Sequence, residues 1–186
     1  MRLADLSADL GGGVFLRPLD EDDVPELFML TERNREHLRH WLPWVDMTLA
    51  EEDTRAFVRS VGAAIEAGLS VQFALVVDGR IVGVAGFHEL DRVNDAVALG
   101  YWIAQEHQGR GLMTRAVEAL VRIAFEKLGL NRVVIQAAVE NGKSRAIAER
   151  LGFREEGVLR EAERHSDSYF DLATYSLLAR EWRERT

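Results

Sequence analysis

The chain has 186 residues, 47% of them apolar, which suits one compact domain with a real core. A formal net charge of −8 makes it a poor non-specific ligand for nucleic-acid phosphates, and the absence of cysteine excludes disulfides, thiolate zinc sites and a thiol nucleophile of its own. Residues 1–9 carry acids and lack the apolar centre of a signal peptide, and no apolar run approaches a membrane span, so the expected location is cytoplasmic, with no membrane and no nucleic acid as partner.

A single domain over 1–186 is expected, with 1–13 as a flexible lead that ends in Gly11, Gly12 and Gly13. Residues 14–19 read as a short strand. Asp20 then reads as a helix cap, with Asp23 three residues on as an imperfect capping box, for a helix over about 22–33. His40-Trp41-Leu42-Pro43-Trp44 interrupts the helical pattern. Thr48 reads as the cap of a second helix, about 50–67, ended by Gly68. Asp78-Gly79 between the apolar runs 71–77 and 81–89 is a hairpin signal, and Asn94-Asp95 makes the next turn before a strand over 96–104.

The next segment carries the chemistry. His107-Gln108-Gly109-Arg110-Gly111-Leu112-Met113-Thr114 joins that strand to a helix whose apolar residues Met113, Val117, Leu120, Val121, Ala124 and Leu128 keep one face inward until Gly129 stops it. Two glycines let the backbone bend with its N–H groups outward, and a helix start adds unpaired N–H groups and the positive end of its dipole. Together these make a site for phosphate or pyrophosphate. The turn is neither a Walker A loop nor a dinucleotide fingerprint, for want of Gly-Lys-Ser/Thr and of a third glycine. Residues 131–139 read as a strand, reached by a parallel crossover. Asn141 caps a helix over about 142–151, and 153–160 with 169–178 form a final strand pair. The expected product is an α+β domain around a mixed, mostly antiparallel sheet, with ligands at the carboxyl ends of its strands where the sheet splits.

These residues resemble the GNAT (Gcn5-related N-acetyltransferase) family and its RimJ/RimL-like branch. Gln108-Gly109-Arg110-Gly111-Leu112-Met113 resembles the family's acetyl-CoA pyrophosphate motif, with Met113 in place of a small residue. Asn141-Gly142-Lys143-Ser144 and Arg150-Leu151-Gly152-Phe153 resemble the second half of that site. Tyr101-Trp102 and Trp41-Leu42-Pro43-Trp44 are similar to the RimL branch. The resemblance implies an acyl-CoA N-acyltransferase fold, with six to seven strands, about four flanking helices and a splayed central strand pair. It implies acetyl-CoA as acyl donor, no metal, direct transfer to an amine without an acyl-enzyme, and allows a homodimer. Trp102, Ile103, Ala104, the turn from Gln108 through Arg110 to Thr114, Asn141, Lys143 and Ser144 are then expected to hold acetyl-CoA. A backbone N–H of the bulged strand 101–104 would polarise the carbonyl, and pantetheine would pair in the split like an added strand.

Many relatives protect the departing thiolate with a tyrosine that falls here on Ala148, so the RimL-like match moves this role to Ser144, which otherwise serves as a helix-start cap. The match for the base falls on Glu163, acting through water. Glu161 shares one face of an extended segment with it, and the choice between the two stays open, as does a surface role for both. Arg110, Lys143, Arg145 and Arg150 cluster near the phosphate-facing turns or are solvated. Trp41 and Trp44 lid the acceptor cleft or anchor the core, and His165 and Tyr169 flank the acceptor. His37 and His40 lack a further ligand for a metal. The implied acceptor is a protein N-terminal amine, as on a ribosomal protein. A polyamine, an amino acid or an amine antibiotic as acceptor, a larger acyl group, or a non-catalytic acyl-CoA-binding module are the alternatives.

Overall fold

The computed structural model describes residues 2–165 and 168–185. Eight strands form one sheet: β1 (Ala8–Gly11), β2 (Val14–Pro18), β3 (Val71–Val77), β4 (Arg80–Asp91), β5 (Ala96–Ile103), β6 (Arg132–Ala138), β7 (Arg154–His165) and β8 (Ser168–Leu178). Their spatial order is β1-β2-β3-β4-β5-β6-β8-β7, and all neighbours are antiparallel except β5 and β6. The helices are α1 (Val24–Arg33), α2 (Arg35–Leu38), α3 (Glu51–Glu66), α4 (Leu112–Arg122), α5 (Gly142–Arg150) and α6 (Ala179–Arg183). Four of these have nine or more residues; α2 and α6 are single turns. Among the described residues no helix is long and apolar enough to cross a membrane.

The expected six to seven strands become eight because residues 8–11 pair with β2 as β1. Residues 2–13, expected within a flexible lead, are instead packed onto the domain: Leu3 and Leu6 are buried in the main core, and the Arg115 guanidinium donates to the carbonyls of Leu10 and Gly11. Asp20 and Asp23 make the reciprocal cap, Asp20 accepting from the Asp22 N–H at 2.9 Å and Asp23 from the Asp20 N–H at 3.0 Å. Arg17 forks onto Asp23 at 2.7 and 2.6 Å. Thr48 does not cap α3, since its hydroxyl donates to the Trp44 carbonyl. The Asp53 carboxylate accepts from the N–H groups of Leu49 and Ala50 instead, and those two bonds hold it below the usual carboxylate range. Asp78 and Gly79 both take positive φ, the conformation that a two-residue hairpin turn of matching twist requires.

β3 is buried along its whole length. Phe73 and Leu75 meet α4's inward face (Met113, Val117, Leu120 and Val121) in the main core, while Ala74 and Val76 meet α1 and α3 (Val24, Leu27 and Val58) in a second core on the opposite face. An alternating strand with apolar residues on both faces needs helices on both sides. α4 runs on as a π turn over Ile123–Lys127 before Gly129, at φ +68°, ends it.

β5 pairs with β6 only from Ala96–Arg132 to Leu99–Ile135. Beyond that point β5 follows β4 and β6 follows β8, so the two strands part. The expected bulge is not in 101–104, where the β4–β5 register is regular. It lies in β4 between Phe87 and Leu90, opposite Ala98, and turns His88 toward the split.

At the far edge Arg132 forks onto Glu156, and the Ser176 hydroxyl donates to it at 2.8 Å. The Arg132 bonds, with Ser176 behind them, pull the Glu156 carboxyl down to about 2. A depressed carboxylate stabilises the fold above its unfolded-state value near 4.5, and that contribution is lost as pH falls toward 2. Glu156→Gln is therefore expected to flatten the acid side of the stability profile in this window, modestly because the pair is partly solvated. Urea midpoints at several pH values check this; parallel wild-type and variant curves would count against it.

Candidate active site

Where β5 and β6 part, a cavity of about 1650 Å³ opens between β4, β5, β6, α4, α5 and the α2–α3 linker. Its walls include Tyr101, Trp102 and Ile103 on one side of the split, and Gln136, Ala137 and Ala138 on the other. From Gly100 onward the β5 edge facing the split has no strand partner, so its main chain is free to pair with an extended ligand.

The glycine turn closes one end. Gly109 and Gly111 both have φ +72°, and a Cβ built at either would have no atom within 4 Å. Their backbone conformation calls for glycine, and the space above them is open. Gly111 is the N-cap of α4, so the first N–H groups of that helix have no carbonyl one turn back to bond. Two cations stand over the turn. Lys143 donates to Gln108 Oε1 at 2.8 Å, and Arg150 donates to the Thr114 hydroxyl at 2.9 Å. The Gln108 amide also donates to His37 Nε2 at 2.6 Å, which ties α2 to the turn. Burial, with Lys143 nearby, keeps the His37 pKa below the ordinary histidine value, in keeping with this accepting role.

Most of the expected acetyl-CoA residues line the cavity: Trp102, Ile103, Gln108, Gly109, Gly111, Leu112, Met113, Thr114, Asn141, Lys143 and Ser144. Two do not. Ala104 is fully buried in the second core, and its N–H bonds the Val82 carbonyl, which removes it from any role toward a carbonyl. Arg110 is outside the wall, its guanidinium on the ring of His107. Arg145 also leaves the phosphate cluster for the Tyr175 hydroxyl, the Val139 carbonyl and Glu155. Met113, where the motif has a small residue, fills the main core with its side chain 5% exposed.

Asn141 caps α5 through the Ser144 N–H at 3.1 Å, which places Ser144 in the helix's first turn at the cavity wall. The Ser144 hydroxyl donates to Tyr101 Oη at 3.2 Å, and the Tyr101 hydroxyl lies 3.2 Å from the Ser144 carbonyl, to which it donates. Burial pushes the Tyr101 phenol up to about 12, so it stays neutral and keeps its proton. Sequence reasoning placed the Tyr101 main chain in the site but missed its side chain, because nothing local shows that β5 meets α5 across the split. Ala148, the tyrosine position of many relatives, is fully buried in the main core and does not line the cavity. A tyrosine grafted there would displace core side chains.

Away from the glycine turn the wall includes Glu163, Trp41 and Trp44. Trp44 packs on Trp102 with ring centroids 6.0 Å apart, and Trp41 on Phe170 at 6.4 Å. Glu161 and Glu163 do not share a face. The β7 register shifts between Leu159 and Glu163, Glu161 takes φ +51°, and its N–H bonds the Asp171 carboxylate. Glu161 is exposed outside the cavity; Glu163 is in its wall. Tyr169, expected beside the acceptor, is 57% exposed and outside the wall. His88 is a further wall residue that the sequence reading missed. Its ring lies against Gly100, where any Cβ would collide with it; the side chain is solvent-exposed, and partial desolvation holds its pKa below the ordinary value. Among the described residues no three histidine or acidic side chains gather as a metal site.

A phosphate-binding turn beside a split β5–β6 pair is matched by the family comparison: residues 14–154 match the acetyltransferase (GNAT) domain. The chain belongs to the GNAT acetyltransferase family. YdaF of Bacillus subtilis (strain 168), named in the ribosomal N-acetyltransferase class, is 39% identical over 170 residues, 91% of this chain and 93% of its own. The ribosomal-protein-serine acetyltransferase of Escherichia coli (strain K12) is 32% identical over 161 residues, 87% of this chain and 90% of its own. A solved RimL ribosomal-protein α-N-acetyltransferase in complex with coenzyme A superposes with a TM-score of 0.90 at 28% identity, over 93% of this chain and 98% of that one. This GNAT chain is an acetyl-CoA-dependent N-acetyltransferase. Its open glycine turn, overhanging cations and unpaired β5 edge fit an acyl-CoA laid along the split.

Proposed function

We propose that this acetyltransferase modifies the N-terminal α-amine of a protein, with a ribosomal protein as the leading candidate, in the cytoplasm where such a chain is made. One observation carries the choice of acceptor. Among the described residues of the cavity wall the only carboxylate is Glu163, and the same wall carries Trp41, Trp44, Phe57 and Leu172. One negative charge in an aromatic and apolar mouth suits a single ammonium on an otherwise uncharged peptide end. A polyamine carries several cations and would call for several carboxylates.

In this reading Glu163 takes the proton of the attacking amine, directly or through one water, and an unpaired N–H of the β5 edge within 101–103 polarises the acetyl carbonyl. The amine nitrogen bonds to the carbonyl carbon, the carbon–sulfur bond breaks, and the sulfur receives a proton. Ser144 donates a hydrogen bond to the departing thiolate, helped by the positive end of α5, and the sulfur takes its proton from solvent. In the resting structure the Ser144 O–H points at Tyr101 Oη, so it turns from the phenol to the sulfur as the thiolate departs, while the neutral phenol keeps its own proton on the Ser144 carbonyl. The acceptor is tested by thiol release from acetyl-CoA over a panel of Ser- and Ala-initiated peptides, spermidine, free amino acids and amine antibiotics, with mass spectrometry of the products. Preference for spermidine over every peptide would overturn the proposal.

Ser144→Ala is expected to slow single-turnover transfer by roughly 10- to 10³-fold, the scale of losing one transition-state donor. Acetyl-CoA affinity should stay within a few-fold, because the glycine turn and β5 edge are untouched. An unchanged rate would reduce Ser144 to a residue of the helix start.

A further inference from the structure

Glu163 and His165 project from the same face of β7, two residues apart in a stretch of regular register, with Phe170 opposite Glu163 on β8. The His165 side chain is only 9% exposed, and its ring stands edge-on to Phe170 with centroids 4.5 Å apart. Phe170 is in turn covered by His40 and Trp41. Inside this aromatic enclosure His165 Nε2 is buried and, among the described residues, has no hydrogen-bond partner. Glu163 Oε2 lies 3.6 Å from it. That is beyond a hydrogen bond but within a small rotation of one.

A buried polar nitrogen left without a partner is unfavourable, and such atoms call for an explanation. An ionised carboxylate only accepts, so the imidazole form that suits this neighbour carries its hydrogen on Nε2. The two side chains also differ in freedom. His165 is enclosed by packing, whereas the Glu163 side chain is 37% exposed and opens to the cavity. Glu163 is the partner that moves.

We propose that His165 is a positioning residue for Glu163: its Nε2–H holds one carboxylate oxygen and leaves the other directed at the acceptor amine. The amine's proton passes to that free oxygen, and His165 keeps its own. The inference rests on the reading of Glu163 as base. It adds a reason why this carboxylate, partly exposed on the edge strand of the sheet, acts in one orientation.

Two measurements test it. Nitrogen NMR of the imidazoles in the wild-type protein should show His165 with a hydrogen on Nε2, and its signal should move in Glu163→Gln. A neutral ring with hydrogen on Nδ1 alone would overturn the proposal without reference to any acceptor. In kinetics with a Ser-initiated peptide, His165→Phe should lower kcat by about 10- to 10²-fold with the KM for acetyl-CoA unchanged. His165→Gln, which restores an N–H donor at similar reach, should recover most of that loss. In a Glu163→Gln background His165→Phe should cost nothing further, because its route of action is already gone. Equal losses in His165→Phe and His165→Gln, or losses that multiply with Glu163→Gln, would make His165 a packing residue only. A normal rate in Glu163→Gln itself would instead remove the base assignment on which the inference stands.

Discussion

Gly111→Glu is expected to abolish measurable acetyl-CoA binding while the protein still folds. Gly111 sits at φ +72° as the N-cap of α4, and a Cβ there meets nothing within 4 Å, so the fold bears only the strain of a left-handed side-chain residue. That strain is about 1–2 kcal/mol, which a domain of this size tolerates. The new carboxylate, by contrast, projects into the space above the turn and competes for the same N–H groups and helix dipole that attract a pyrophosphate. Calorimetric titration with acetyl-CoA and a circular-dichroism melt check both halves. Gly111→Ala is the control: it carries the same backbone strain without the charge, and should bind far better than the glutamate variant. Retention of micromolar affinity by Gly111→Glu, roughly −8 kcal/mol, would remove the turn from the phosphate site.

The second large effect concerns Glu163. Glu163→Gln keeps the shape of the side chain but removes the proton acceptor, so kcat should fall by about 10²-fold or more with acetyl-CoA affinity nearly unchanged. Glu161→Gln should behave as wild type, because Glu161 is exposed outside the cavity and its backbone is turned by the β7 irregularity. The reverse pattern would keep the cleft and move the base by two residues.

Much of this protein was legible before any coordinates. The glycine turn, the Asp78-Gly79 hairpin, the Asp20–Asp23 cap, the Asn141 cap and the α4 stripe all appear where the residues predict them. The parting of β5 from β6, implied by family resemblance, is also present. The reading failed where two plausible local partners competed. Thr48 and Asp53 both suit the start of α3. The carboxylate reaches two N–H groups, while the Thr48 hydroxyl is taken up by Trp44 one turn back.

What the sequence alone determined are features set by backbone sterics and short-range periodicity. Positive φ at paired glycines, a carboxylate at a helix start, and the spacings of three and four along α4 act within a few residues and need no partner. The tertiary structure alone decided which side chains meet. Glu163 enters the cavity and Glu161 does not because β7 slips register against β8. Ala148 turns into the core while Ser144 faces Tyr101 across the split. Ala104 is lost to the site because its N–H is already paired with Val82, and the first residues become β1 because β2 offers an edge to them. Each of these follows from pairings between distant segments. The β7 slip sets the four steps from Leu159 to Glu163 against two on β8, with Glu161 turned to φ +51° between them, and no local pattern in the chain records it.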